Sequence, residues 1–396
     1  MEGVFYYEKR IGVVFGGRSV EHEVSVITGM QVVENLDKSK YEVVPIFIDK
    51  EGRWLTGDEL FKFENFKNDN LKSLKEVILT SKCNDRKLYS HPDNIGFFGK
   101  KQTIEIDAVF VALHGTYGED GTIQGLFETL NIPYTSGGVL ASSVGMDKIL
   151  MKDVYKSYGL PIVNYTWFFR KKWNDDKEGV LKEVEEKLTY PLFVKPANLG
   201  SSVGISKAKD KKSLEEAIEV AIRYDRKIII EEGVENPREL NCAVIGYDDN
   251  VKASLCEEPL GWTDLLTYED KYVHSNSKGA KGGGRNIPAD ISEEKAKEIQ
   301  ETAKKAFMAI DCKGTARIDF LMDKDENIYV NEINTQPGSI GYYLWDAMGI
   351  SFGQLLDQLI EIAIVVQKDK NESMYSYDVD LFDKVQLGGG SKTSKI

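Results

Sequence analysis

The chain is short of cysteine, histidine, surplus positive charge and long apolar runs, and each shortage removes a class of protein. Its four cysteines (Cys83, Cys242, Cys256, Cys312) show no close pairing and no metal-ligand spacing with the four histidines. That excludes a disulfide scaffold or zinc module and suits a reduced, cytosolic compartment. Basic side chains number 51 against 64 acidic ones, a net charge of -13, which speaks against nucleic acid as the main partner. No apolar run reaches the length of a membrane span, and Met1 to Arg10 lacks the apolar core of a signal peptide, so no membrane partner is expected. With 396 residues, the chain has room for about two or three domains with ample core.

What is present is most concentrated between Gly314 and Asn334. Gly314-Thr-Ala-Arg-Ile-Asp-Phe-Leu-Met322 alternates small or apolar with polar side chains, so a strand turns Arg317 and Asp319 to one face. After a turn at Asp323 to Asn327, Ile328-Tyr-Val-Asn-Glu-Ile-Asn334 puts Glu332 and Asn334 on one face by the same period of two. Such oxygens are what a hard cation like Mg²⁺ takes, with nucleotide phosphates completing the shell. The same residues also suit a hairpin whose outer face is merely solvated.

Elsewhere the pattern alternates strands and helices. Arg10 to Phe15 reads as a buried parallel strand that ends at Gly16-Gly17 and leads into a helix through Val32, with a second strand at Tyr41 to Ile48. Residues 51–101 read as a polar elaboration with short β pieces. Ile106 to Leu113 is a strand that runs into the glycine-broken loop His114 to Gly121, and ligands gather beyond such strand ends in open α/β sheets. A helix at Thr122 to Leu130 and a turn-rich boundary at Pro133 to Gly138 follow, and Met146 to Tyr155 reads as one amphipathic helix. Leu192 to Pro196 carries Lys195 inside an apolar strand, and Asn198-Leu-Gly-Ser-Ser-Val-Gly204 follows. In physical terms this is a phosphate cradle, or else a plain hairpin with an exposed lysine. Lys227 to Glu232 is a strand ending in two carboxylates. Residues 257–288 have little periodicity, in the manner of a lid or a disordered stretch, and 388–396 read as a flexible tail whose place in the natural gene is open.

Gly16-Gly-Arg-Ser-Val-Glu-His-Glu-Val-Ser25, His114-Gly-x-x-Gly-Glu-Asp-Gly121, Met146-Asp-Lys148, Lys195-Pro196 with Gly200-Ser-Ser-Val-Gly204, Ala316-Arg-Ile-Asp319 and Asn331-Glu-Ile-Asn-Thr-x-Pro-Gly338 occur in that order. Over residues 10–366 the chain thereby resembles the D-alanine-D-alanine ligases of the ATP-grasp superfamily. The resemblance implies an α/β chain, α+β in its C-terminal part, with a three-domain ATP-grasp fold. An N-terminal Rossmann-like (pre-ATP-grasp) substrate domain spans 1–137 and a central ATP-grasp subdomain 138–232. A C-terminal ATP-grasp domain spans 233–367 with its lid at 257–288, and a tail spans 368–396. It further implies a cytoplasmic homodimer that joins two D-alanines through an acyl phosphate for peptidoglycan precursors, using ATP and two Mg²⁺ ions, with Mn²⁺ as a substitute. The alternatives are a ligase for D-alanine and another small amino acid such as D-serine, and a non-catalytic nucleotide-binding regulator.

By the same resemblance, Lys148, Lys195, Ser202 and the lid residue Lys271 meet ATP phosphates, while Glu231 or Glu232, Val234 and Glu239 hold adenine and ribose. Asp319, Glu332 and Asn334 match the metal ligands, and Arg317 the group that stabilises the acyl phosphate and the tetrahedral intermediate. Glu21 matches the carboxylate for the first substrate's ammonium, Ser201 and Tyr272 its hydrogen-bonded partners, and His114 a residue near that site. Gly338, Tyr343 and Leu344 fall where the second substrate is bound. There the chain departs from the family, with Ser339-Ile-Gly-Tyr-Tyr-Leu-Trp345 in place of a polar Ser-His-Ser type of segment, while Tyr272 favours an amino acid over a hydroxy acid.

Overall fold

The computed structural model describes residues 9–68, 70–92, 103–200, 203–260 and 284–376. Three sheets follow one another along the chain. The first takes β1 (Lys9–Gly16), β2 (Tyr41–Ile48), β3 (Trp54–Thr56), β4 (Lys75–Leu79), β5 (Lys87–Ser90), β6 (Thr103–Glu105) and β7 (Ala108–Val111) in the order β6-β5-β4-β3-β2-β1-β7. Only β2, β1 and β7 run parallel, so the Rossmann-like part is three strands wide and the segment read as an elaboration extends it antiparallel. The second sheet, β10-β9-β11-β8, is antiparallel and is built from β8 (Tyr165–Phe169), β9 (Leu192–Pro196), β10 (Ser206–Ala208) and β11 (Lys227–Glu232). The third, β14-β13-β12-β15-β16, takes β12 (Arg238–Tyr247), β13 (Asn250–Pro259), β14 (Arg285–Asn286), β15 (Gly314–Met322) and β16 (Ile328–Asn334).

The apolar periodicity places each core. Val14, Val111 and Phe127 pack on one side of the first sheet. On its other side Ile11, Val13 and Phe15 join Ala243, Ile340, Trp345 and Leu355 in one continuous cluster, so the first and third sheets share a core. The helix Phe352–Lys370 contributes to it, closed at its start by Ser351 and Gln354 in a reciprocal capping box. Among the described residues no helix is long and apolar enough to cross a membrane.

Two local expectations change. The stretch read as one helix from Met146 belongs to two, Gly138–Met146 and Lys148–Ser157, the first of which starts where the turn-rich boundary at Pro133 to Gly138 ends. Asp147 leaves helical geometry at ψ 100° and accepts from the backbone N–H of Ile149 and Leu150 at 3.1 and 3.2 Å, which starts the second helix and aims Lys148 from its first position. Asp147 also pairs with Lys227, and both side chains are nearly covered. Asp147→Ala is therefore expected to cost about 2 kcal/mol, the cap plus a stranded cation, read as a lower urea midpoint at unchanged slope.

The second change lies in β16. A strict period of two would place Glu332 and Asn334 on the same side as Ile328 and Val330, which are buried. The register instead shifts between Asp319 and Phe320, so that Phe320 faces Val330 while Asp319 faces Glu332 and Arg317 faces Asn334. Asn331 is the extra residue of a β-bulge. Ile328, Val330 and Ile333 go to the core, and Glu332 and Asn334 go to the face of Arg317 and Asp319.

Candidate active site

The hairpin face is held together by charge. Arg317 donates from Nε and Nη2 to the two oxygens of Asp319 at 2.6 and 2.7 Å, and Asn334 Nδ2 donates to Asp319 Oδ2 at 3.0 Å. Burial works against the guanidinium's charge, yet the Asp319 carboxylate keeps its pKa above the ordinary arginine value. Among the described residues no group of three or more His, Cys, Asp or Glu is placed to hold a metal ion on its own. The carboxylates of Asp319 and Glu332 and the Asn334 amide share this face, a set of oxygens whose chemistry suits a hard cation that takes its other ligands from phosphates rather than a fully proteinaceous cage.

Across from this face stand the lysines of the second sheet and its helix. Lys195 Nζ donates to Glu231 Oε2 at 2.6 Å and reaches Asn331 Oδ1 on β16 at 3.5 Å. Lys148 Nζ donates to the Leu199 carbonyl at 2.9 Å and lies 3.9 Å from Glu332. The cleft between the second and third sheets is thus lined by ammonium groups on one wall and by carboxylates on the other. The choice between the two terminal glutamates of β11 resolves by face. Glu231 is buried beside Lys195, while Glu232 turns away to Asn164 Nδ2 and the Thr189 N–H, both at 2.8 Å. Glu231 is held down to about 2, since Lys152 and Lys195 outweigh the burial that opposes its charge. Val234 is half-buried just beyond β11, and Glu239 is exposed on the face of β12 that carries Asn241.

At the other end of the cleft, Glu21 is buried beside two glycines. A Cβ on Gly115 would lie 2.5 Å from the Ser19 hydroxyl and 3.0 Å from Glu21 Oε2, so the loops after β1 and β7 come this close because residue 115 is glycine, while Gly200 after β9 stands at ordinary contact distance from Glu21 Oε1. Thr28 bridges this corner to the next. Its hydroxyl pairs with His114 Nε2 at 2.8 Å and accepts from the Ser339 N–H at 3.3 Å. Ser339, Ile340 and Gly341, directly after Gly338, all have left-handed backbone, with φ of 49°, 58° and 62°. For a β-branched residue that is strained, and the buried Ile340 side chain holds it in place. Leu344 is fully buried and faces the core, so its side chain is closed to a ligand. Tyr343 donates its hydroxyl to Glu257 at 3.1 Å, under a guanidinium of Arg285 that sits 4.1 Å from its ring. Burial and Glu257 push the phenol up to about 12 despite Arg317 and Arg285. Ser201, Ser202, Lys271, Tyr272 and most of the expected lid lie outside the described residues, as does the tail from 377.

Sequence reasoning missed Thr28, Lys152, Glu257 and Asn331. Only Lys152 leaves a readable trace, a lysine one helical turn after Lys148 among the buried Ile149, Met151 and Tyr155.

A Rossmann-like sheet followed by two antiparallel sheets, with lysines of one facing carboxylates of the other, places the protein in the ATP-grasp class. The comparisons narrow it further. Residues 10–137 match the model of the D-ala D-ala ligase N-terminus and residues 154–361 that of its C-terminus. The chain belongs to the D-alanine-D-alanine ligase family. It is 44% identical to the D-alanine-D-alanine ligase of Thermosipho africanus over 94% of its own length and 98% of that protein's. With the ligase of Bacillus cytotoxicus it shares 40% identity over 93% of its own length and 99% of that protein's. Among solved structures it resembles the D-alanine-D-alanine ligase of Coxiella burnetii, with TM-score 0.78, 32% identity, and 93% and 97% of the two chains covered. It resembles the VanG D-Ala:D-Ser ligase of Enterococcus faecalis nearly as well, with TM-score 0.76, 32% identity, and 90% and 99% covered.

Proposed function

We propose that the protein joins two D-alanines into D-alanyl-D-alanine at the expense of ATP, for peptidoglycan precursor synthesis in the cytoplasm. The observation that carries this reading is the facing of Lys148 and Lys195 against Arg317, Asp319, Glu332 and Asn334 across one cleft, with the buried Glu21 at its end. A carboxylate acylates poorly, so a phosphoryl group must first be transferred to it. An oxygen of the first D-alanine bonds to the γ-phosphorus as the bond to ADP breaks. Lys148 and Lys195 absorb phosphate charge during that step. Asp319, Glu332 and Asn334 hold Mg²⁺ or Mn²⁺, whose chemistry is to neutralise the transferring group and template its phosphates. Glu21 fixes the first ammonium. The second amine then forms the C–N bond and phosphate leaves, with Arg317 facing the oxyanion that develops. Glu231, Val234 and Glu239 face the nucleotide's other end, and the division at 137 and 232 belongs to the same reading, as does a homodimer.

The second substrate rests on a different observation. The chain carries Ser339 to Trp345 in place of the family's polar segment, and its Tyr343 is held to Glu257 beside Arg285, which supports D-serine or another small amino acid as the second reading there. Phosphate release is expected to require ATP, D-alanine and a divalent ion together, to vanish with chelator and to return with Mg²⁺ or Mn²⁺. The product mass with D-alanine alone, and with D-alanine plus D-serine, decides between the two. Release with neither pair would sink both.

A further inference from the structure

Lys152 has no part in the chemistry above, yet it is the most deeply buried charge near the cleft. It lies four residues after Lys148 on the helix Lys148–Ser157, so both ammonium groups leave the same helical face, Lys148 toward the cleft and Lys152 one turn deeper. Its side chain is 0% exposed, which rules out direct contact with a ligand. Its Nζ lies 3.3 Å from Glu231 Oε1 and 3.4 Å from the carbonyl of Asn331, the extra residue of the bulge in β16.

The buried carboxylate of Glu231 therefore stands between two lysines, with Lys195 2.6 Å from Oε2 and Lys152 facing Oε1, which has no aligned hydrogen bond. Two cations against one anion leave the cluster one positive charge in surplus at the cleft. As Lys195 turns its ammonium toward a phosphate, its hold on Glu231 weakens. A lone carboxylate that is 3% exposed would resist that strongly, because uncompensated charge in such a place is heavily penalised.

We infer that Lys152 is a positioning residue for the nucleotide: it holds the charge of Glu231 permanently, and so frees Lys195 to bind phosphate. The inference rests on the proposed ATP site and deepens it. Burial, with the neighbouring Lys195, lowers the Lys152 pKa, and the Glu231 and Glu332 carboxylates oppose that. Through the Asn331 carbonyl the same ammonium ties the wall that carries the lysines to the strand that carries Glu332.

The experiment uses the full chain and two probes, MgATP and magnesium tripolyphosphate, the second of which reports on the phosphate subsite without adenine contacts. Binding is read by calorimetry for the wild type, Lys152→Met, Lys152→Arg and the double variant Lys152→Met with Glu231→Gln. Lys152→Met should weaken both probes about tenfold, because Lys195 is then retained by Glu231, and Lys152→Arg should recover part of the loss. In the double variant Glu231 no longer needs a cation, so tripolyphosphate affinity should return to within about threefold of the wild type, a coupling that a purely structural role would not produce. The double variant removes both buried charges, so it reads the phosphate subsite even where the single variant fails to fold. Unchanged tripolyphosphate binding in Lys152→Met, or a double variant about tenfold weaker than wild type, overturns the inference. A wild type that binds neither probe overturns instead the nucleotide reading on which it rests.

Discussion

Arg317→Ala is expected to lower turnover about a thousandfold while MgATP affinity stays within about threefold of the wild type. The guanidinium sits on the hairpin face against Asp319 and near Tyr343, where the reacting carbonyl of the proposed reaction would develop its negative charge. Nothing on the wall that carries the lysines depends on it, so the nucleotide should still bind. Arg317→Lys keeps the charge but cannot pair with both oxygens of Asp319 as Nε and Nη2 do at 2.6 and 2.7 Å. It should therefore lose about ten- to a hundredfold, between the two. Steady-state kinetics with D-alanine, beside calorimetric nucleotide binding, separates the effects. Full turnover in Arg317→Ala would remove this residue from the mechanism.

Glu332→Gln is expected to lower turnover about a hundredfold or more at millimolar Mg²⁺, and to raise the Mg²⁺ concentration needed for half-maximal rate. Both oxygens of Asp319 are already engaged by Arg317, so much of the face's attraction for a cation falls to Glu332. Glutamine keeps an oxygen donor at the same place on the bulged strand but removes the charge, and folding should be unaffected because the side chain is outside the core. A rate titration with Mg²⁺ and Mn²⁺ reads the shift. An unaltered metal requirement would place the ion elsewhere.

Much of the architecture was legible because it depends on short-range patterns. The strands Tyr41–Ile48, Leu192–Pro196, Lys227–Glu232, Gly314–Met322 and Ile328–Asn334 stand where the apolar and alternating runs place them. The helix Thr122–Leu130 starts just after the left-handed Gly121. The split at Asp147 was lost because Met146-Asp-Lys148 sits inside a continuous helical pattern, and only backbone geometry reveals a side chain that caps rather than continues. Thr28 and Glu257 were illegible for a different reason. Their partners, Ser339 and Tyr343, lie 311 and 86 residues away, and no local period encodes such a pairing.

By itself, the order of residues determined which chemical groups the protein carries, the elements they ride on and the family to which it belongs. Only the tertiary structure decided which way several of them face. A single extra residue, Asn331, lets Val330 and Ile333 both enter the core while Glu332 and Asn334 turn to Arg317 and Asp319. The bulge persists because the opposite register would bury a carboxylate and expose an isoleucine. Likewise Glu231 and Glu232 are adjacent acids in the chain, and the pleat of β11 gives one to the lysines of the cleft and the other to Asn164 and the Thr189 N–H. Alternation of side chains along a strand is local, but which side is the inside depends on what packs against it.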